Sequence, residues 1–466
     1  MSFKNAVLTT PVESRTENGM KALESSLSTV TDLFFKIGAS RGKQITPQFE
    51  RAFQDNEDLA IRVALWARDV RGGAGERQLF RDVLLHLETY HLTTLTKTKL
   101  LSKIPTLGRW DDLLIFTHPE VKSIAFDLIH AALKAGNGLC AKWMPRKGPQ
   151  AQELRTSFGW TPKFYRKRLV ELTKVVETAM CAKQWGTINF EHVPSLAMSR
   201  YLTAFHKNAG QAFLDYKNKL VKGEAKVNAA AVYPYDIIKS LQAGGDKTVC
   251  DVQWNSLPDY MDGQNILPMV DVSGSMGSSV GGNPKLSCLD VAVSLGLYLS
   301  DKNKGVFKDL FLTFSPKSEF VHLKGTLSQK LSQMIKSNWD MSTNLHKAFD
   351  LILGLAIKNK LPAEDMPSAL LILSDMQFNA CTKFDDSAHQ MIDRKYFEAG
   401  YKMPGIVFWN LNAHDNAPVA FNEQGTAMVS GFSPAIMKSI LAADFASMTP
   451  EAIMKSAVMV NRYDYL

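Results

Sequence analysis

The sequence contains no apolar run of about 18 residues, so no membrane-spanning helix and no membrane partner are expected. Its first residues, MSFKNAVLTT, lack a basic segment followed by an apolar stretch, so no secretory leader is expected. Cysteine is sparse. The five (Cys140, Cys181, Cys250, Cys288 and Cys381) are scattered and form no C-x-x-C pair. That pattern excludes a zinc ribbon, argues against a disulfide framework and points to a reducing, cytoplasmic location. Catalytic signatures are missing too. Ser275 stands in Gly274-Ser275-Met276-Gly277, which is not the G-x-S-x-G of a nucleophile elbow. The glycine-rich stretch from Arg71 to Arg77 lacks the Lys-Ser/Thr ending of a phosphate loop and reads as a helix-to-helix turn with an Arg–Glu pair. His192 and His206 read as surface or core histidines, and no cysteine has an evident histidine partner. No enzymatic role is expected. Metal-assisted hydrolysis would need a general base that the sequence does not offer.

What is present is a long globular chain. Its 466 residues are 45% hydrophobic and 21% charged, which suits two or three domains of roughly 150 residues each. The formal net charge of +8 is unevenly placed. Residues 1–260 carry 36 Lys+Arg against 26 Asp+Glu, and residues 261–466 carry 18 against 20. The excess sits in residues 141–230, with 16 basic and 6 acidic side chains. Such asymmetry suits a face that meets polyanions, or a solvated basic surface.

The hydrophobic pattern changes once along the chain. Residues 1–45 read as an N-terminal extension with one helix near 19–38. From Thr46 the period is helical: Leu59, Val63, Leu65, Trp66 and Val70 line one face, and Leu79, Phe80, Val83, Leu84 and Leu87 line the next. Gly108-Arg109-Trp110-Asp111-Asp112 predicts a helix start, with Arg109 and Trp110 in packing and capping roles. No strand signal precedes residue 260. A stack of helix pairs, an α-solenoid of HEAT-like repeats, fits residues 46–245, although no fixed-period repeat is visible. Residues 246–263 read as a linker. After it, apolar strands at 266–271, 310–314, 368–374 and 405–409, with a further candidate at 319–323, alternate with helices, which predicts a Rossmann-like α/β domain with a parallel-rich sheet over 264–466.

The sharpest motif is Asp271-Val272-Ser273-Gly274-Ser275-Met276, directly after the first of these strands. Alone it fits an N-cap turn as well as a cation loop. Thr343, just before a helix, and Asp375, just after the SALLILS strand, stand where strand-to-helix loops at the same sheet edge belong. Two carboxylates and three hydroxyls favour Mg²⁺, or another divalent cation, over a tight Ca²⁺ cage. They leave one coordination position for water or for an acidic side chain of a protein partner.

Asp271, Ser273, Ser275, Thr343 and Asp375 resemble, one by one, the metal-ion-dependent adhesion site of von Willebrand factor type A domains. The phrases MVDVSGSMG, MSTNLHKAFDLIL, LILSDMQF, IVFWNL and MVSGFS, with VRGGAGERQLFRDVL and MPRKG earlier, are similar to a two-domain family joining a helical region to a type A domain. Its layout is similar to that of the TROVE-module Ro ribonucleoproteins, whose helical ring binds structured and misfolded RNA. The resemblance implies an RNA-binding helical half and a metal-dependent site for partner recruitment. It supplies no RNA-contact residues.

Those come from charge and aromatic spacing. Lys142, Arg146, Lys147 and Arg155 are followed by Lys163, Tyr165, Arg166, Lys167 and Arg168, and residues 141–170 hold eight basic side chains against one acid. Pro145, Gly148, Pro149 and Gly159 predict a loop over 144–162. Lys and Arg neutralise phosphates, and interleaved aromatics (Trp143, Trp160, Phe164, Tyr165) can stack on unpaired bases. Arg200, His206, Lys207, Lys217, Lys219, Lys222 and Lys226 form a second basic group on later helices. The other reading is that the aromatics belong to the core and the charges merely solvate the surface. A protein-only adaptor without RNA is the alternative function.

Overall fold

The structure is a computed structural model that describes residues 12–17, 19, 21–173, 175–225, 232–261, 265–280, 283–314, 318–337, 345–377, 388–414, 416–441, 445 and 448–466. A short hairpin, β1 (Glu13–Arg15) with β2 (Lys21–Leu23), precedes a run of helices from Thr29–Ile37 to Lys247–Asn255. The caps explain several boundaries. Asn56 accepts from Leu59 N at 2.9 Å to start Glu57–Arg68, whose first turn carries Glu57 and Asp58. Thr161 accepts from Phe164 N at 3.2 Å to start Pro162–Leu172, with proline in the first turn. The long apolar faces bury Phe49, Phe53, Trp66, Phe80 and Ile129 in one core.

A six-stranded sheet follows: β3 (Ile266–Asp271), β4 (Leu310–Phe314), β5 (Phe320–His322), β6 (Ala369–Ser374), β7 (Gly405–Asn410) and β8 (Thr426–Ser430). Its order is β5-β4-β3-β6-β7-β8, and every neighbouring pair is parallel except β4 with β5. Each of β3, β6 and β7 is buried along its whole length, which is why each reads as a continuous apolar run. Alternate residues still part company. Ile266, Val270, Leu371, Leu373, Val407 and Trp409 join the core of the helical half, whereas Leu267, Met269, Leu370, Ile372, Ile406 and Phe408 pack on the other face. The chain is therefore a helical N-terminal region followed by a mostly parallel α/β region, and the two share one continuous core.

Four stretches differ from the sequence reading. Residues 144–162 are not all loop: Pro149–Ser157 is a helix that begins after Gly148 at φ +87°, so the Gly-Pro pair marks a helix start and not a break. The expected linker contains the helix Lys247–Asn255, capped by Asp246, which accepts from Val249 N at 3.2 Å. The expected extension is built into the sheet region. Leu23 bridges to Ala417, and the helix Thr29–Ile37 lies against β8. The expected helix at 110 is a short 3-10 turn, Trp110–Leu114. The β1–β2 hairpin, the strand β8 and the helices after it, Met437–Leu441 and Pro450–Val458, were not foreseen.

Candidate metal centre and basic surface

Asp271 ends β3, and Val270 pairs with Leu373 of β6, so Asp375 leaves the neighbouring strand at the same edge. Both carboxylates are fully buried. One Asp271 oxygen, Oδ1, accepts from Ser273 N at 2.9 Å, and the other, Oδ2, accepts from the Ser374 hydroxyl at 2.5 Å. Ser374 Oγ in turn accepts from Met376 N at 2.9 Å and so ties Asp271 to the turn that follows β6. That turn passes through Met376 at φ +68°, a left-handed conformation uncommon for a non-glycine residue. Ser273 and Ser275 lie on alternate positions of the loop after β3, with their hydroxyl oxygens 3.0 Å apart. Asp375 Oδ1 accepts from Gln377 N at 3.2 Å, whereas Asp375 Oδ2 is buried with no hydrogen-bond partner among the described residues.

The electrostatics are those of two acids forced together. Burial, reinforced by the charge of Asp375, lifts Asp271 to about 7. Burial also raises Asp375, while Ser275, the Gln377 backbone and His414 pull it back. Two buried like charges and one orphaned carboxylate oxygen are a costly arrangement for the protein alone. The donor set suits a hard cation: Asp271 and Asp375 could supply charge, and Ser273 and Ser275 neutral oxygens. Four of the five oxygen donors expected from the sequence thus converge on one sheet edge. Thr343 lies outside the described residues. Ser374 and His414 went unnoticed in the sequence. Ser374 had a faint signal, as a hydroxyl at the end of an otherwise apolar strand beside Asp375.

The basic stretch divides on inspection. Lys142, Arg146 and Lys147 are exposed, and so are Lys163, Arg166 and Lys167 on the helix Pro162–Leu172. Arg155 is half-buried. Tyr165 must be withdrawn as a base-stacking residue: its side chain is 1% exposed and its hydroxyl donates to Pro145 O at 2.9 Å. It shares its buried face with Leu169, one turn on. Arg168 is also committed, donating to Leu133 O at 3.0 Å and Lys134 O at 3.1 Å at the end of the helix Pro119–Lys134. Trp143 carries the Arg109 guanidinium 3.3 Å over its ring. Phe164, half-exposed, packs edge-on against Trp160 at 4.9 Å and is the aromatic most open to solvent here. In the second group, Arg200 and Lys207 are exposed on Ser195–Asn208, while Lys217 and His206 are both drawn to Asp246. Lys226 lies outside the described residues.

Around residue 76 the pairing differs from expectation. Glu76 takes Arg41, at 2.6 Å, and not a neighbouring arginine. Arg77 turns instead to Asp111 and Asp112, which also receive Arg68, Arg81 and Arg109. Arg109 stands at the N-cap position of the 3-10 turn, but the capping group is Asp112, whose Oδ2 accepts from the Arg109 backbone N–H at 3.1 Å.

A helical region followed by a mostly parallel sheet, with buried acids at the sheet's carboxyl edge, defines a two-region class of protein. The family described as a domain of unknown function (DUF7788) matches residues 265–462, and another described in the same way (DUF2828) matches residues 16–113 and 146–265. An uncharacterised protein of Acanthamoeba polyphaga mimivirus is 30% identical, over 92% of this chain and 84% of its own length, and the chain belongs to its family. The crystal structure of the Deinococcus radiodurans Ro (RSR) protein covers 93% of this chain and 100% of its own, at a TM-score of 0.45 and 15% identity.

Proposed function

We propose that this protein is a Ro-like, RNA-binding protein. On this reading its helical region is a HEAT-like solenoid, and its sheet region is a type A-like domain holding Mg²⁺ at an adhesion-type site. The observation that carries the RNA reading is the local charge: eight basic side chains against one acid in residues 141–170, six of them exposed, on the helices Gly138–Trp143 and Pro162–Leu172 and on the segment that follows the first. Lys142, Arg146, Lys147, Lys163, Arg166 and Lys167 would contact phosphates, and Phe164 would offer a stacking surface. Binding of this kind follows the backbone and not base edges.

The metal reading is supported by the buried Asp375 oxygen, unpartnered among the described residues, beside the raised Asp271. Asp271, Ser273, Ser275, Asp375 and, by resemblance, Thr343 would hold the cation. Bound there, Mg²⁺ would neutralise the paired acids and offer an open position to an acidic side chain of a protein partner. Ser374 orients Asp271, and the Met376 turn aims Asp375. A cytoplasmic ribonucleoprotein role follows from this reading.

The test is RNA binding across a salt series, with single-stranded and structured RNA. RNA binding requires log K to fall linearly with log salt. Absence of binding at low salt would instead favour the adaptor that engages only proteins.

A further inference from the structure

We propose that the helical half holds a second, transition-metal site for Zn²⁺ at Glu50, His86 and His91. It is separate from the oxygen-lined centre and does not depend on the RNA reading. Glu50 lies on the helix Thr46–Asp55 and His86 on the helix Gln78–Tyr90. His91 is the residue that caps the second helix, at φ −135° and ψ 48°. Leaving the helix there lets its ring turn back beside His86. His86 Nε2 stands 2.7 Å and His91 Nε2 2.8 Å from the same oxygen, Glu50 Oε2. These three ligand atoms all lie within 4.8 Å of one another.

The surroundings fix the rings. His91 packs on Phe53 at 4.1 Å, His86 on Tyr90 at 4.8 Å, and Phe49 meets His86 edge-on at 6.2 Å. Gln54 Nε2 donates to the other Glu50 oxygen at 2.9 Å. Glu50 Oε2 thus faces both imidazoles while its other oxygen is held by Gln54, which fixes the carboxylate between the two rings. Side-chain exposures of 15%, 23% and 25% leave the cluster open on one side.

Two imidazoles and one carboxylate form a borderline donor set that suits Zn²⁺ and its first-row neighbours, and not Mg²⁺. Three protein ligands leave a fourth tetrahedral position for water. In the metal-free protein both imidazoles can donate to the one carboxylate oxygen. Metal binding requires each Nε2 lone pair to face the ion, with the proton on Nδ1. The ion would cross-link two helices that otherwise meet through apolar packing and these hydrogen bonds.

The experiment uses the full chain, stripped with a chelator and held in excess Mg²⁺ so that the sheet-edge centre does not compete. Zn²⁺ is titrated by calorimetry and Co²⁺ by visible absorption, for the wild type and for His86→Gln, His91→Gln and Asp271→Ala. We expect about one equivalent of Zn²⁺. Affinity should fall at least about tenfold in each histidine variant, the least that losing even an outer-shell partner costs, and should be unchanged in Asp271→Ala. Equal Zn²⁺ affinity in the wild type and both histidine variants would overturn the proposal. If those variants fail to fold, the wild-type Co²⁺ spectrum decides. Intense tetrahedral bands displaced by Zn²⁺ support the site, whereas weak octahedral bands, or thiolate charge-transfer bands, overturn it.

Discussion

The backbone N–H of Gly38 donates to the Ser430 hydroxyl at 3.0 Å, joining residues 392 positions apart. Ser430 Oγ also donates to Phe34 O at 2.9 Å. A β-carbon at Gly38 would lie 2.2 Å from the Ser430 carbonyl oxygen, against backbone that cannot easily yield. Gly38→Ala is expected to destabilise the fold by about 1–3 kcal/mol, the usual cost of overpacking. Ser430→Ala, which orphans a buried N–H, is expected to cost about 1–3 kcal/mol. Denaturant midpoints would measure both. Shifts within about 0.5 kcal/mol, the range of ordinary surface changes, would mean that this junction contributes little.

Arg68 and Asp112 form an ion pair at 2.7 Å with side chains 1% and 0% exposed. Asp112 also accepts from Arg81 Nε at 2.7 Å. Removing the acid alone strands buried cationic charge, so Asp112→Ala should cost about 3–5 kcal/mol. Replacing both partners by leucine should cost less than the two single changes added together. A double-mutant cycle by urea denaturation checks this, and simple additivity would refute the coupling.

Asp271 gives a pH dependence of definite sign. Its carboxyl titrates at about 7 in the folded chain, against about 3.9 when unfolded. The folded state therefore holds a proton that the unfolded chain has released. The stability it lends is complete below about pH 4 and is lost as pH rises to about 7. Chelator-treated protein should melt at progressively lower temperature across that window, and Asp271→Asn should flatten the trend. On the metal reading, added Mg²⁺ should flatten it as well. A melting temperature independent of pH in the chelated wild type would count against the buried acid pair.

The basic helix Pro162–Leu172 separates binding charge from structural charge. Reversing Lys163, Arg166 and Lys167 to Glu should weaken RNA binding. With single strands the salt slope should become shallower by about 0.7 for each phosphate that is no longer neutralised. The melting temperature should stay close to that of the wild type, because all three side chains are exposed. Arg168 is left in place because it caps the end of the helix Pro119–Lys134. Filter binding at two or more salt concentrations reads the outcome, and unchanged affinity would remove this surface from the proposal.

The strands β3, β6 and β7 were legible because strands covered on both faces have unbroken apolar sequences. Asp271 and Asp375 stood out for the same reason, as the first charges after such runs. The strand β8, with Thr426 and Ser430 at its ends, is short and lacks that contrast. The helix Pro149–Ser157 was hidden by Gly148 and Pro149, which punctuate a turn and a helix start equally well. Tyr165 misled because charge density drew attention away from period. Its four-residue spacing to Leu169 was the mark of a core-facing side chain. Glu50, His86 and His91 gave no linear signal, since Glu50 meets the two histidines only when its helix folds against theirs.

The lodging of Thr29–Ile37 beside β8 bears on how the two halves can be separated. A C-terminal fragment begun at residue 264 would strip the outermost strand of its neighbouring helix and bare Ser430. Unguarded strand flanks recruit strands from other molecules. Self-association of such a fragment would then report a wound and not a native assembly, whereas a fragment that retains residues 21–45, even supplied as a separate peptide, should stay monodisperse.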